Sequence, residues 1–212
     1  MPGSGKSNCA EKLASLAQGF VINTDKIIES IEGESITEIF SNSGEKRFRD
    51  LESKIISFLS SKMLTASSPF KNNQETYSKI EQELLPLLKK ASSTPGKLLI
   101  LDVGGGLPVH NNLMAELKAL GLVVFLSCKP ETLLERLKND SSRPLLNLKD
   151  DEIAPIKEKF EKMVKLLRER QNCYRDAHIT VNTELLNPDE VAKKIVSEIK
   201  NWKSSEDFSK TV

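Results

Sequence analysis

Five residues near the start of the chain, Gly3-Ser4-Gly5-Lys6-Ser7, have the types and spacing that bind phosphate. In the pattern G-x-x-x-x-G-K-[ST], a glycine-rich turn aims backbone N–H groups at phosphate oxygens. The lysine reaches the β- and γ-phosphates, and the final hydroxyl binds Mg2+. Gly5, Lys6 and Ser7 fill the last three positions, and Gly3 and Ser4 lie within the turn. The next stretch, SNCAEKLASLAQ, is helical in pattern and stops at Gly19, so its positive end faces the anion. Counted backwards, the first glycine of the pattern falls one place ahead of Met1. Such a loop hangs from a buried strand, and burying four or five large apolar side chains stabilises by roughly 1.5–3 kcal/mol each. That sum rivals a domain's whole stability of about 5–15 kcal/mol. The expectation is a sequence that starts at an internal Met and lacks its first strand.

Charged groups recur at element ends further along. Asp25 follows the apolar run FVIN, and by itself reads equally as a helix N-cap or as a carboxylate at a strand tip. Arg49 and Glu52 lie three apart on one helix face, which suits a surface ion pair or an arginine oriented for binding. Asp102 ends LLILD, where it either closes a strand or faces a magnesium ion, and Gly104, Gly105 and Gly106 follow in a turn. Arg136, Arg143 and Arg170, taken singly, are solvated charges. His110 and His178 have no partner pattern and read as structural or exposed. Cys9, Cys128 and Cys173 lack metal-like spacing and read as reduced thiols.

The elements that must position these groups alternate. FVINTD (20–25), KLLILDV (97–103), LVVFLSC (122–128) and HITVNT (178–183) predict short buried strands. Between them fall helical patterns, including EKRFRDLESKIISFLSSKML, which puts Phe48, Leu51, Ile55, Phe58 and Leu59 on one face. Residues 65–78 predict a polar loop, and KIEQELLPLLKKA a short helix broken near Pro86. A long lysine-rich helix runs through DEIAPIKEKFEKMVKLLRERQNCYRDA, and an Asn-Pro entry opens the last helix, whose Trp202 is expected to pack on the sheet. Near-continuous apolar strands alternating with helices make an α/β fold with a parallel sheet covered on both faces. Residues 1–202 form one expected domain and 203–212 a disordered tail. The 212 residues carry a net charge of +1, which argues against a nucleic-acid or membrane surface as the partner.

Beyond the loop, the chain resembles the shikimate kinase family over nearly its whole length. The resemblance rests on INTDKIIESIEGESITEIFSNSGEKRFRDLES, on GGG at 104–106, on ETLLERLKNDSSRPLL and on RQNCY, in that order. It implies a P-loop fold of the nucleoside-monophosphate-kinase type, a three-layer sandwich with five parallel strands in the family and the first one missing here. It also implies transfer of the ATP γ-phosphoryl group to the 3-hydroxyl of shikimate, in aromatic amino acid biosynthesis. By the resemblance, Arg49 and Arg170 clamp the acceptor carboxylate, with Glu52 orienting Arg49. Asp25 holds the acceptor hydroxyls and helps deprotonate the attacking one. Gly104–Gly106 let the ligand approach, and Arg136 packs on adenine. Arg143 reaches the transferring phosphate from a lid at about 139–153, and the acceptor subregion spans about 25–60.

The implied metal is Mg2+, the implied partners are the small molecules ATP and shikimate, and the implied state is a monomer. The expected location is the cytoplasm, or a plastid if a transit peptide lies upstream. The chain departs from the family pattern in one place. Asn23 stands where the family has an acid that helps hold Mg2+, so Ser7 and Asp102 are taken as the metal-side residues, with Asp102 compensating for Asn23. The run from 62 to 95 is longer than the family connection and reads as an outer helix or a partner surface. Two alternatives stay open: a kinase for another carboxylated polyol such as gluconate, and a non-catalytic relative.

Overall fold

Apolar runs of four residues form parallel strands in the computed structural model, which describes residues 3–64, 74–94, 96–137 and 154–209. Strand β1 (Phe20–Asn23) pairs with β2 (Leu99–Asp102), and β3 (Val124–Ser127) pairs with β4 (Ile179–Asn182). All four lie inside the runs expected to be strands. Among the described residues β2 and β3 do not pair, so the strands form two separate parallel pairs.

Helices cover these pairs on both faces. Following the loop is α1 (Lys6–Ala17); α2 (Thr24–Glu32), α3 (Ile36–Asn42), α4 (Gly44–Met63) and α5 (Gln74–Ser92) separate β1 from β2. A 3-10 turn (Leu107–Asn112) and α6 (Leu113–Leu120) lead to β3, while α7 (Pro130–Arg136) and α8 (Ala154–Arg175) precede β4, and α9 (Pro188–Ser209) closes the chain. One core lies under α2, α4, α5 and α6 against β1 and β2, and the five residues expected on the α4 face are all buried in it. A second core joins α1 and α9 to β3 and β4, and a third packs α7 and α8 on Phe125. Trp202 packs at the second core and meets His178 edge-on, with ring centroids 5.6 Å apart.

Local differences from the sequence expectation have physical reasons. The helix expected to break near Pro86 runs unbroken from Gln74 to Ser92, starting within the expected polar loop. Proline removes one N–H there, but Ile80 and Leu84 are fully buried against the first core and hold the helix in place. The 62–95 segment thus contributes an outer helix packed on α2 and α4. Gln18, at φ 49°, takes the left-handed cap of α1 that Gly19 was expected to supply. Gly19 is required for another reason: a Cβ there would run into the Leu98 carbonyl. Residues expected as a tail from 203 continue α9 to Ser209, and no glycine or proline interrupts them. The expected lid and its Arg143 lie outside the described residues. Among the described residues, no helix is long and apolar enough to cross a membrane.

Candidate active site

The ends of β1 and β2 bring the two halves of the candidate site together. Asn23 and Asp102 are register partners, and the Asn23 amide donates to Asp102 Oδ2 at 2.6 Å. The carbonyl oxygen of the same side chain accepts from the Lys26 N–H at 2.9 Å, so Asn23 is the N-cap of α2. Asp25, the residue read as a possible cap, sits instead in the first turn of that helix. Asp102 is buried, and its backbone oxygen accepts from the Thr24 hydroxyl at 3.4 Å. Asp102 and Lys6 line one cavity.

On the phosphate side, Gly3 and Gly5 have φ of 74° and 81°, a left-handed backbone that glycine adopts at little cost. Gly5 caps α1, and the first turn of that helix has neither a side-chain cap nor an acid. The start of such a helix, with its positive dipole end, is where an anion is favoured. Ser4 is buried in the turn, and Ser7 is exposed on the first turn of the helix. Behind the loop, burial and then the Asp102 charge push the Cys9 thiol up to about 11, so it stays protonated near neutrality. Among the described residues, no group of three or more His, Cys, Asp or Glu is gathered for a metal. Ser7, on the first turn of α1, and Asp102, at the end of β2, each carry a hard oxygen donor. Oxygen donors of this kind are the ones a magnesium ion takes. Asp102 is shared with the Asn23 amide rather than standing alone.

On the other side, α2, α4, α8 and the glycine turn converge. Arg49 donates from Nε and Nη2 to Glu45 Oε1, at 3.1 and 2.9 Å, and from Nη1 to Glu52 Oε2 at 2.5 Å. The guanidinium is held on two sides by these carboxylates. Glu52 has no exposed surface, and burial pushes its carboxyl up to about 7. Arg49 opposes that shift, Asp25 adds to it, and Arg170 opposes it. Burial lowers the Arg49 pKa, but Glu52 and Glu45 outweigh it and leave it raised. The glycines make room for these groups. A Cβ on Gly104 would run into the Glu52 carboxylate close to Asp25, and one on Gly106 would run into the Arg49 guanidinium.

Arg170 is 8% exposed, and its charge acts on both Glu52 and Tyr174. Tyr174 donates its hydroxyl to the Gly105 carbonyl at 2.6 Å, and its ring stacks on Phe125 at 4.5 Å. One residue earlier, the Cys173 thiol donates to the Pro108 carbonyl at 3.1 Å. Together these residues tie α8 to the glycine turn. Arg136 is exposed at the end of α7 and donates to the Thr183 carbonyl at 2.9 Å, fastening that helix beside β4.

Asp25, Arg49, Glu52, Gly104–Gly106 and Arg170 thus form one corner, while Lys6 and Asp102 share the adjoining cavity. The sequence reading gave no role of their own to three contributors, Glu45, Cys173 and Tyr174, although Glu45 stands in GEKRFR and the other two in RQNCY, stretches on which the resemblance rests.

Known proteins resemble the chain over most of its length. A family model described as shikimate kinase matches residues 2–69 and 62–200. The shikimate kinase of Sulfurihydrogenibium sp. is 33% identical over 198 residues, covering 93% of each chain. That of Thermodesulfovibrio yellowstonii is 32% identical over 197 residues, covering 92% of this chain and 89% of its own. Among solved structures, the shikimate kinase from Acinetobacter baumannii in complex with shikimate matches with a TM-score of 0.68 and 28% identity, covering 94% of this chain and 89% of the other.

Proposed function

The chain belongs to the shikimate kinase family, and on that premise we propose how its residues divide the transfer of the ATP γ-phosphoryl group to shikimate. It is an ATP-dependent kinase with the P-loop fold of that family. Arg49 and Arg170 take the acceptor's carboxylate, the former in a fork already oriented by Glu45 and Glu52. Asp25 accepts the hydrogen bond of the attacking 3-hydroxyl and takes its proton as the new P–O bond forms. Gly3, Ser4 and Gly5 cradle the phosphates with their N–H groups, Lys6 neutralises the β- and γ-oxygens, and Arg136 borders the adenine. Arg143 meets the charge on the transferring group. The loop and α1 hold the nucleotide, and ADP leaves with the β–γ bridging oxygen. Ser7 and Asp102 would hold Mg2+, which when bound offsets phosphate charge.

The observation that carries this reading is the corner itself: a buried arginine locked by two carboxylates, with Asp25 and a glycine turn against it and Arg170 alongside. A planar cationic fork beside a carboxylate base fits a small acid with a reactive hydroxyl. The test is ADP release with ATP and Mg2+ in the presence of shikimate or of gluconate. Turnover with shikimate and none with gluconate is expected. The reverse pattern, or binding without turnover, would overturn the assignment. The same reading covers residues 1–202 as one domain, monomeric and cytoplasmic, with an acceptor subregion at about 25–60. Size-exclusion chromatography checks the monomer.

A further inference from the structure

A carboxylate of the chain itself occupies one edge of the Arg49 fork. Nε and Nη2, the donors that a guanidinium offers side by side, both donate to the same Glu45 oxygen, at 3.1 and 2.9 Å. Nη1 donates to Glu52. The two glutamates are held very differently. Glu52 lies inside α4 with no exposed surface. Glu45 opens α4 just after Gly44, and 49% of its side chain is exposed. Among the described residues, its carboxylate has no partner besides Arg49. Ser43 makes no side-chain cap at the start of α4, so a negative charge in this first turn is favoured whether or not it touches the arginine. Glu45 can therefore leave Arg49 at modest cost, and Glu52 cannot. The guanidinium keeps its place when Glu45 moves. Its side chain is 8% exposed, its Cζ lies 5.2 Å from the centre of the Phe48 ring, and Gly106 packs against it.

We infer that Glu45 is an internal stand-in for the acceptor's carboxylate: it takes Nε and Nη2 of Arg49 for itself and gives them up when the acceptor binds. The inference rests on the reading of Arg49 as the clamp for that carboxylate. Two carboxylates do not share this edge, because its N–H groups are engaged and like charges at contact distance repel. The acceptor brings what Glu45 lacks. Arg170 and Asp25 both lie close enough for their charges to act on Glu52, so a small acid with hydroxyls gains contacts beyond the fork. Glu45 meanwhile offsets the charge of a buried cation and keeps its plane oriented. The consequence is lower affinity, since apparent binding is reduced by the fraction of chains in which Glu45 has let go. Glu45 is thus a positioning residue that also competes. The two roles differ in sign: losing an orienting group weakens acceptor binding, and losing a competitor tightens it.

The test titrates shikimate and benzoate, a ring carboxylate without hydroxyls, into the full chain and into Glu45→Gln and Glu45→Ala by calorimetry. Both ligands are expected to bind the variants roughly 3- to 10-fold tighter than the parent, because a half-exposed, charge-assisted contact no longer has to be broken. ATP affinity should not move. Asp50→Asn removes an equal charge from an exposed site on the same helix and should change acceptor affinity by less than about twofold. The Arg49 Nε–H resonance, followed by NMR, gives a second reading. It should differ between the parent and Glu45→Gln without ligand and coincide once either ligand is saturating. Weaker or unchanged acceptor binding in both Glu45 variants would overturn the inference and leave Glu45 an orienting group alone. An equal gain in Asp50→Asn would also overturn it, since the effect would then be one of overall charge. So would Nε–H signals that still differ at saturation, or a Glu45→Ala chain that binds neither carboxylate. The kinase reading fails separately: shikimate is then bound without turnover, while benzoate still gains affinity in the Glu45 variants.

Discussion

The acceptor corner and the cleft between β2 and β3 sit on the same strand, yet they are built by different means. In the corner, side chains from α2, α4 and α8 meet over a glycine turn, and the charged groups answer one another: Glu45 and Glu52 hold Arg49, and Arg170 acts on Glu52. In the cleft, two strand edges face apolar space. On the proposed assignment, the grip on the acceptor is set by helix packing and the grip on phosphate by the loop and the start of α1. Substitutions in the two regions should separate kinetically. Acceptor-side changes should move the acceptor KM, and loop-side changes should move kcat or the ATP KM.

The largest effect is expected on the loop side. Lys6→Ala removes the cation that meets the developing phosphate charge, and kcat should fall on the order of 10²–10³-fold. Acceptor affinity, read by calorimetry, should stay within about twofold because the corner is untouched. A parallel loss of acceptor affinity would erase the distinction. Next is Arg49→Lys, which keeps the charge but loses the planar fork and its three bonds to Glu45 and Glu52. Acceptor kcat/KM should fall roughly 30- to 100-fold with the ATP KM unchanged, since truncating a buried charge pair costs about 2–5 kcal/mol. An ATP KM that rose in step would show that the two regions are coupled.

A third, smaller effect depends on pH. Folding raises the Glu52 pKa from 4.5 to about 7, so the native state retains a proton that the unfolded chain has released. The stability this supplies is complete below pH 4.5 and is lost as pH rises through about 7. Activity should move the other way, because only the ionised carboxylate holds Arg49 by charge. Acceptor kcat/KM should therefore climb through a pKa near 7 while unfolding free energy declines over the same window. Glu52→Gln should flatten both trends and lower kcat/KM at pH 8 roughly tenfold. An acid limb that survives in Glu52→Gln would assign that titration elsewhere.

How much of this is legible in the sequence follows from what each feature depends on. The α4 stripe and the four strands are local patterns and read directly. The Arg49–Glu52 spacing reads as a pair, but its burial does not, because it takes α2, α8 and the glycine turn to exclude water. Asn23 illustrates a different limit. Its type says cap, and its place in a family pattern says metal, and only the pairing with Asp102 across the sheet shows that its amide does two jobs. The Pro86 helix misleads because local propensity yields to the burial of Ile80 and Leu84. Gly104 and Gly106 read as room for a ligand, yet the groups that first fill that room are the protein's own Glu52 and Arg49.

The smallest effect tests how rigid the corner must be. Tyr174 bears on Arg170, its hydroxyl bonds the Gly105 carbonyl, and its ring is fixed against Phe125. It is therefore a positioning residue, holding the turn whose flanking glycines lie against Glu52 and Arg49. Tyr174→Phe keeps the ring and its stacking but loses the hydroxyl's bonds to the Gly105 carbonyl and to Arg170, each worth about 1 kcal/mol. If these bonds only stabilise the fold, Tm drops by a few degrees and the kinetics stay the same. If they set the height of the turn against the guanidinium, the acceptor KM rises about three- to fivefold with kcat and the ATP KM unchanged, and the shift persists well below the new Tm. The second outcome is expected, because any movement of Gly104 or Gly106 toward the corner meets Glu52 or Arg49 at once, whereas the described residues along the cleft beside β3 are apolar. An unchanged acceptor KM would mean that the turn is held without the hydroxyl and that the corner owes its geometry to the glutamates on Arg49 alone.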